Sequence, residues 1–301
     1  MKLLVSETEG RFGFQDTPEP QPEPGEVLVR VMASSVNPRD LRMAKARAGY
    51  RSGIDFAGVV ERAGGRSGPQ PGSRVCGVVP GGAWSELIAV APRALAPVPD
   101  VVELTAAAAL ASVGLTGLYA LERGGELIGR RVLVTGAAGA VGRMACQLAS
   151  LAGAEVTASV RSRARADELG DLGVHVAVGE DPGVATAYGP FDLILESVGG
   201  ASLSASVRLL APGGTCVVLG STSGGLSALD AANIYQNVCK LVGFGLFVDL
   251  NIKPASDGLG RLLRLVAADR ISPPPFRTYP WTEVNAAIAT PGRGKIVLDV
   301  T

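Results

Sequence analysis

Histidine is nearly absent from this sequence. The 301 residues hold one, His175, inside the run "VHVAVG". A single histidine in a strand-like run reads as a core or edge residue, so neither a histidine metal site nor a histidine proton relay is expected. Cysteine is scarce too. Cys76, Cys146, Cys216 and Cys239 lie far apart and none forms C-x-x-C, which argues against a zinc lobe or a disulfide frame. Buried small hydrophobes is the expectation for them. Excess charge of either sign is lacking, because 28 Lys and Arg balance 28 Asp and Glu. No field is present to draw nucleic acid or an anionic membrane, and neither is expected as a partner. The opening "MKLLVSETEG" turns polar too soon for a secretory signal. One uncharged run, Leu104 to Leu121, lies between Glu103 and Glu122 and is rich in Ala, Gly, Ser and Thr. It reads as two buried helices at a domain junction rather than a membrane span. Length and an apolar content of 47% fit two domains with large cores, and a soluble, cytoplasmic chain is expected.

What is present falls into two regimes. The first hundred residues hold short β-branched runs: "GEVLVRVMAS" (25–34), "DFAGVVERAG" (55–64), "SRVCGVVP" (73–80) and "SELIAVA" (85–91). Gly/Pro-rich segments separate them, which suggests a small twisted barrel or sandwich. From residue 131 the pattern alternates. "RVLVTG", "EVTASV", "VHVAVG", "FDLILESVG" and "GTCVVLG" read as strands, with helical stretches between, implying βαβ units and a parallel sheet. A helix over 258–268 is followed by "ISPPPF", whose prolines end regular structure. The tail "KIVLDV" is β-like without a local partner, so it is expected to return to the first domain.

The stretch "RVLVTGAAGAVGRMACQLA" places Gly136, Gly139 and Gly142 between a strand and a helix. That context makes a dinucleotide loop believable. Gly139 permits close approach of a pyrophosphate, Gly142 permits helix–strand packing, and Ala137 stands where the first glycine of the usual G-x-G-x-x-G fingerprint falls. Ala138, Gly139, Ala140, Val141 and Gly142 are the expected phosphate-facing backbone, with helix-start N–H groups turned to the anion. The choice of nucleotide rests on the end of "EVTASV". It reads Ser159-Val160-Arg161-Ser162-Arg163, with no carboxylate for a ribose hydroxyl and with planar cationic donors instead. NADP(H) is expected, held by Ser159 and Arg161. A solvated helix start remains an alternative for Arg163 and Arg165.

Four stretches in this order, "GEVLVRVMASSVNPRDL", "GIDFAGVVERAG", "GLTGLYAL" and "VLVTGAAGAVGRMACQLA", resemble the medium-chain dehydrogenase/reductase superfamily, in its zinc-free quinone oxidoreductase (zeta-crystallin) branch. The resemblance implies an α/β chain. Its GroES-like β-barrel domain would comprise residues 1–112 and 271–301, and its doubly wound Rossmann domain residues 113–270. Zinc-dependent relatives carry Cys at the place of Asn37 and His-Glu at the place of Ile54-Asp55. The absence of those ligands here implies a metal-free reaction.

Without zinc, hydride delivery to an activated acceptor is the expected chemistry. The resemblance implies NADPH-dependent reduction of quinones or other α,β-unsaturated carbonyl compounds. An enoyl reductase working on a polyketide-like or acyl thioester is an alternative, as is an NADPH-binding protein without turnover. Asn37 is implied to bond the substrate oxygen or the nicotinamide ribose, although capping the "NPRD" turn would also explain it. Thr116 is implied to face the nicotinamide, although a helical Thr can bond its own backbone. Val198, Gly220 and Ser221 fall at strand C-termini, where doubly wound sheets bind ligands. Phe244 and Leu246 lie in "GFGLF", similar to the segment over the nicotinamide amide; an edge strand used for dimerisation is the other reading. Some quinone oxidoreductases place a tyrosine five residues after the Asn. Here Arg42 stands there, able to bind an oxyanion but not to give a proton at ordinary pH. A homodimer is implied by the family.

Overall fold

The computed structural model describes residues 1–65, 68–170 and 172–301. The chain divides into two compact units, Met1–Leu115 with Leu250–Thr301, and Thr116–Asp249.

The first unit opens with β1 (Lys2–Ser6) and β2 (Phe12–Asp16), an antiparallel pair. Then come β3 (Val27–Ser35), α1 (Pro38–Ala46), β4 (Asp55–Arg62), β5 (Arg74–Val78), β6 (Leu87–Val90) and β7 (Leu95–Pro97). Strand β3 changes partner along its length: Val27 to Arg30 pair with β6, and Ala33 to Ser35 pair with the C-terminal strand. One long apolar strand thereby serves three neighbours, which is how the sheet curls on itself. Phe56, Val75, Leu95 and Leu298 fill the interior with Trp84, whose ring meets Phe12 edge-on at 4.9 Å. Each such buried side chain contributes roughly 1.5–3 kcal/mol.

The expected pair of helices at 104–121 is one helix, α2 (Leu104–Glu122). Neither Gly114 nor Gly117 breaks it. A Cβ at Gly114 would stand 2.9 Å from Leu262 Cδ1, and one at Gly117 3.2 Å from the Ala145 nitrogen. Close packing therefore offsets the ~1 kcal/mol that a helical glycine costs. The apolar window of this helix is 78% buried inside the protein.

The second unit runs β8 (Arg131–Thr135), α3 (Ala140–Leu151), β9 (Glu155–Val160), α4 (Arg163–Asp167), β10 (His175–Val178), β11 (Phe191–Glu196), α5 (Ala201–Arg208), β12 (Leu210–Val218), α6 (Ala231–Gln236), β13 (Lys240–Gly243) and α7 (Leu246–Asp249). Its six strands are parallel in the order β10-β9-β8-β11-β12-β13. That is the 3-2-1-4-5-6 order of a Rossmann sheet, with its switch point between β8 and β11. His175 lies exposed on edge strand β10, stacked on Tyr188 at 4.9 Å.

The chain then returns to the first unit with α8 (Ala255–Ala267), β14 (Phe276–Pro280), α9 (Val284–Ala289) and β15 (Lys295–Asp299). Strand β15 pairs antiparallel with β3, so the tail does come home. The boundary differs from the expected residue 271. Helix α8 already belongs to the first unit, because it packs on β5 and β7 and buries Leu259, Leu262 and Leu263 there.

Candidate functional site

In the second unit, Gly136 follows β8 with φ +59°, a conformation that suits glycine, and a Cβ there would meet Ser197 Oγ at 2.8 Å. Gly136 is thus the turn glycine, one position before Ala137, where the usual fingerprint would put it. Gly139 caps α3, and its N–H donates to the Gly136 carbonyl at 2.9 Å. A Cβ on Gly142 would lie 2.6 Å from the Gly136 oxygen and 2.7 Å from Ala137 Cα. This is the close helix–strand contact expected of it. The first-turn N–H groups of Ala140, Val141 and Gly142 have no acceptor within their own helix.

The loops after β11 and β12 are stitched to this turn. Ser197 donates from its N–H to Thr135 Oγ1 (3.0 Å) and from its hydroxyl to the Thr135 carbonyl (3.1 Å). Ser223 N–H donates to the Val198 carbonyl at 2.8 Å. Gly199 approaches Ser221 so closely that a Cβ would reach its hydroxyl at 2.6 Å. Val198, Gly220 and Ser221 are therefore brought together beside the glycine loop, at the carboxyl ends of the strands. Phe244 joins the same edge, its N–H donating to the Val218 carbonyl at 2.9 Å, and Leu246 starts α7 beyond it. The strand in this region is 240–243, so only the first residue of "GFGLF" belongs to it.

Sequence reasoning overlooked the group that ties these loops. Glu196 is fully buried at the end of β11. It accepts from the N–H groups of Val198 (3.2 Å) and Gly199 (2.9 Å) and from the hydroxyls of Ser202 (2.7 Å) and Thr135 (3.1 Å). A carboxylate closing an apolar strand just before paired glycines was the available signal.

At the end of β9, the Ser159 carbonyl accepts from Ala137 N–H at 3.2 Å, which fixes that strand end to the glycine loop. Two of the three nearby arginines are occupied. Arg163 pairs with Asp167 and Arg165 with Glu168. Arg161 is exposed and has no such partner among the described residues. Thr116 lies on α2. Among residues 107–121 it alone is not fully buried.

The first unit holds a buried polar cluster around Asn37. Asp55, at the start of β4, is 0% exposed. Its Oδ1 accepts from Ser35 N–H (3.1 Å) and the Ser35 hydroxyl (2.5 Å). Its Oδ2 accepts from the Ser112 hydroxyl (2.5 Å), Asn37 Nδ2 (3.2 Å) and Lys295 Nζ (3.1 Å). Facing a carboxylate, the Asn37 amide must turn its NH2 inward. Asn37 Oδ1 stands 3.2 Å from the Ser112 oxygen, whose one hydrogen goes to the nearer Asp55. The α1 turn is capped by Asp40, which accepts from Asn37 N–H and from Gly53 N–H, each at 2.9 Å. Asn37 and Asp40 thus form a capping box at the start of α1, so capping accounts for part of the Asn37 side chain's placement, while its NH2 goes to Asp55.

Burial, then the charge of Asp55, pushes the Asp40 carboxyl up to about 6, against the pull of those two N–H groups and of Lys295. Burial pushes the Cys76, Cys146 and Cys216 thiols up to about 12, which makes them poor nucleophiles. Arg42 is exposed on α1 and takes no part in the cluster. Neither Lys295 nor Ser112 was singled out from sequence; a lone lysine opening the apolar tail was the only hint.

Comparison with known proteins puts this geometry in context. The family described as zinc-binding dehydrogenase matches residues 140–256, and the alcohol dehydrogenase GroES-like domain matches residues 23–100. A mycocerosic acid synthase-like polyketide synthase of Mycobacterium tuberculosis is 31% identical over 93% of this chain, which spans 14% of that protein. The spectinabilin polyketide synthase system protein NorB of Streptomyces orinoci is 36% identical over 88% of this chain, covering 12% of its own length. Among solved structures, a Pseudomonas syringae pv. Tomato DC3000 quinone oxidoreductase superposes with a TM-score of 0.85 at 26% identity, and a 2-haloacrylate reductase with 0.86 at 25%; each pairing covers 99% of both chains.

The zinc in the first family description does not fit the residues found here. Ile54 offers no donor atom, the amide of Asn37 is a poor zinc ligand, and Asp55 Oδ2 is engaged by an ammonium. Among the described residues, no group of three His, Cys, Asp or Glu side chains is placed to hold a metal.

Proposed function

The chain belongs to the medium-chain dehydrogenase/reductase superfamily, in its zinc-free branch, and from that premise we propose that it is an NADPH-dependent reductase of α,β-unsaturated carbonyl compounds, quinones included. It is an oxidoreductase with a nicotinamide-binding Rossmann domain. The observation that carries the choice of NADPH is Arg161, an unengaged cation at the end of β9 where no carboxylate stands to repel a 2′-phosphate.

Bound NADPH supplies a hydride to the β-carbon of the acceptor. The pyrophosphate lies against the backbone of Ala138, Gly139, Ala140, Val141 and Gly142, where helix-start N–H groups and the α3 dipole favour an anion. Ser159 and Arg161 hold the 2′-phosphate. Val198, Gly220 and Ser221 line the strand edge beneath the nucleotide, and Phe244 and Leu246 border the nicotinamide amide. Thr116 and Asn37 position the nicotinamide end. With its NH2 turned inward, Asn37 serves as an acceptor for a ribose hydroxyl rather than as a donor to the substrate oxygen. Orientation of a reactive pair can by itself supply a large share of the rate. Arg42 is offered to an acidic substrate group, and the proton that completes the reduction comes from solvent.

The polyketide synthase relatives favour a second reading, reduction of an enoyl thioester. The reading also includes a homodimer joined at the exposed edge strand β13, in the cytoplasm. Steady-state oxidation of NADPH and of NADH with 1,4-benzoquinone, an enone and an enoyl thioester tests it. A preference for NADPH with reduction of quinone or enone is expected. Reduction of the thioester alone selects the second reading. Tight NADPH binding with no acceptor consumed would leave a binding protein without turnover and overturn both.

A further inference from the structure

Asp55 receives five hydrogen bonds, from Ser35 (two), Ser112, Asn37 and Lys295. Only Lys295 brings a charge. Its side chain is 5% exposed and that of Asp55 0%, and the pair joins residues 240 apart in the chain. Three of the five donors converge on Oδ2, so the ammonium and the Asn37 amide lean on the same oxygen. A carboxylate this deep is strongly unfavourable without a countercharge. Asp40, the other buried carboxyl of the cluster, is bonded by backbone N–H groups and not by the ammonium. The cation is therefore directed at Asp55. It also stands on the carboxylate at the place where, by resemblance, a zinc-dependent relative would bring its metal, and the donor set here does not fit that metal.

We propose that the Lys295 ammonium is the resident cation of this site and a positioning residue for the reduction: by compensating the charge of Asp55 it fixes the Asn37 amide. Without it, the buried Asp55 carboxylate loses its one charged donor and draws in water, which competes with the Asn37 NH2 for Oδ2, so the inward amide loses its fixed anchor. The Asn37 oxygen then no longer points consistently at the ribose. Lys295 touches neither cofactor nor substrate in this account; it acts through Asp55.

The kinetic part rests on the reductase reading; the amide part does not. The test uses the full chain, with the Asn37 side-chain NH2 resonances assigned in ¹⁵N spectra by their loss in Asn37→Ala. Lys295→Met removes the charge. Lys295→Gln keeps a donor without the charge and serves if the Met variant fails to fold. Both neutral variants are expected to speed hydrogen exchange of the Asn37 NH2 and to lower kcat about ten- to a hundredfold, with the Kd for NADPH much less affected. Lys295→Arg is expected to restore both. Lys295→Gln/Asn37→Ala is expected to be no slower than Asn37→Ala alone, since Lys295 acts only through that amide. Unchanged Asn37 exchange in the neutral variants would overturn the proposal whatever the activity, as would additive losses in the double variant. If exchange responds but the wild type reduces no acceptor, the positioning stands and the reductase reading falls.

Discussion

Single residues carry the charge logic of this protein. Asp40 has an ordinary carboxyl value of 3.8 and is pushed up to about 6 in the fold, chiefly by burial and then by Asp55, with the Gly53 and Asn37 N–H groups and Lys295 opposing. A folded value above the unfolded one means the protonated form favours folding. That contribution is complete below the unfolded value and is lost as pH rises through about 6. Raising the pH from about 4 to 7 should therefore remove on the order of 3 kcal/mol through this one group. Asp40→Asn should flatten the slope of unfolding free energy against pH over that window, measured by urea titration at several pH values. An unchanged slope would assign the effect elsewhere. Absolute stability should also fall, since an amide oxygen cannot replace both carboxylate acceptors. Arg161 gives a second residue-scale prediction. Arg161→Ala should weaken NADPH roughly tenfold or more and leave NADH nearly unchanged, read by fluorescence titration. Equal weakening of both nucleotides would place the arginine on the shared pyrophosphate instead.

Elements show what could be read from sequence and what could not. Five of the six strands of the second unit, β8 to β12, were legible, because parallel strands are largely continuous apolar runs and each is bounded by a turn signal; β13 was not. Strands β1, β2 and β7 were missed. "KLLVS" stands at the chain start without flanking turn residues, and "LAP" is three residues long. The Asn37 cluster was half legible. Asn37 could be found from its motif, but Lys295 contacts Asp55 from 240 residues away, and nothing local in "KIVLDV" announces a buried ammonium. The β8–α3 joint makes the clearest element-scale prediction. A methyl group on Gly142 would sit 2.6 Å from the Gly136 oxygen and 2.7 Å from Ala137 Cα, and both are backbone atoms that cannot swing aside. Gly142→Ala should force the helix off the strand, lower Tm and abolish measurable nicotinamide nucleotide binding. Gly139→Ala should be the milder change, because its nearest contact would be 3.2 Å and its φ of −75° suits any residue. Equal loss in the two variants would refute the packing explanation.

At the scale of the whole molecule, the parallel sheet ends on one side at β13, which pairs with no further strand among the described residues. β13 pairs with β12 along one edge only, and Lys240, Leu241 and Gly243 are exposed. An open strand edge with apolar residues invites another strand. Tyr235 (69% exposed) and Val238 (70%) lie just ahead of it. A second copy of the same edge is the occupant that self-complementarity favours, since a twofold axis lets identical strands pair antiparallel and extend one sheet across two subunits. Like charges placed near such an axis meet their own copies, so Leu241→Glu with Val238→Glu should prevent this pairing while leaving each fold intact. Sedimentation velocity should show the wild type at twice the chain mass of 30.7 kDa and the double variant at once that mass. Unchanged circular dichroism would confirm that folding survives. A wild type that sediments as a monomer at micromolar concentration would leave β13 as an edge protected only by its shortness.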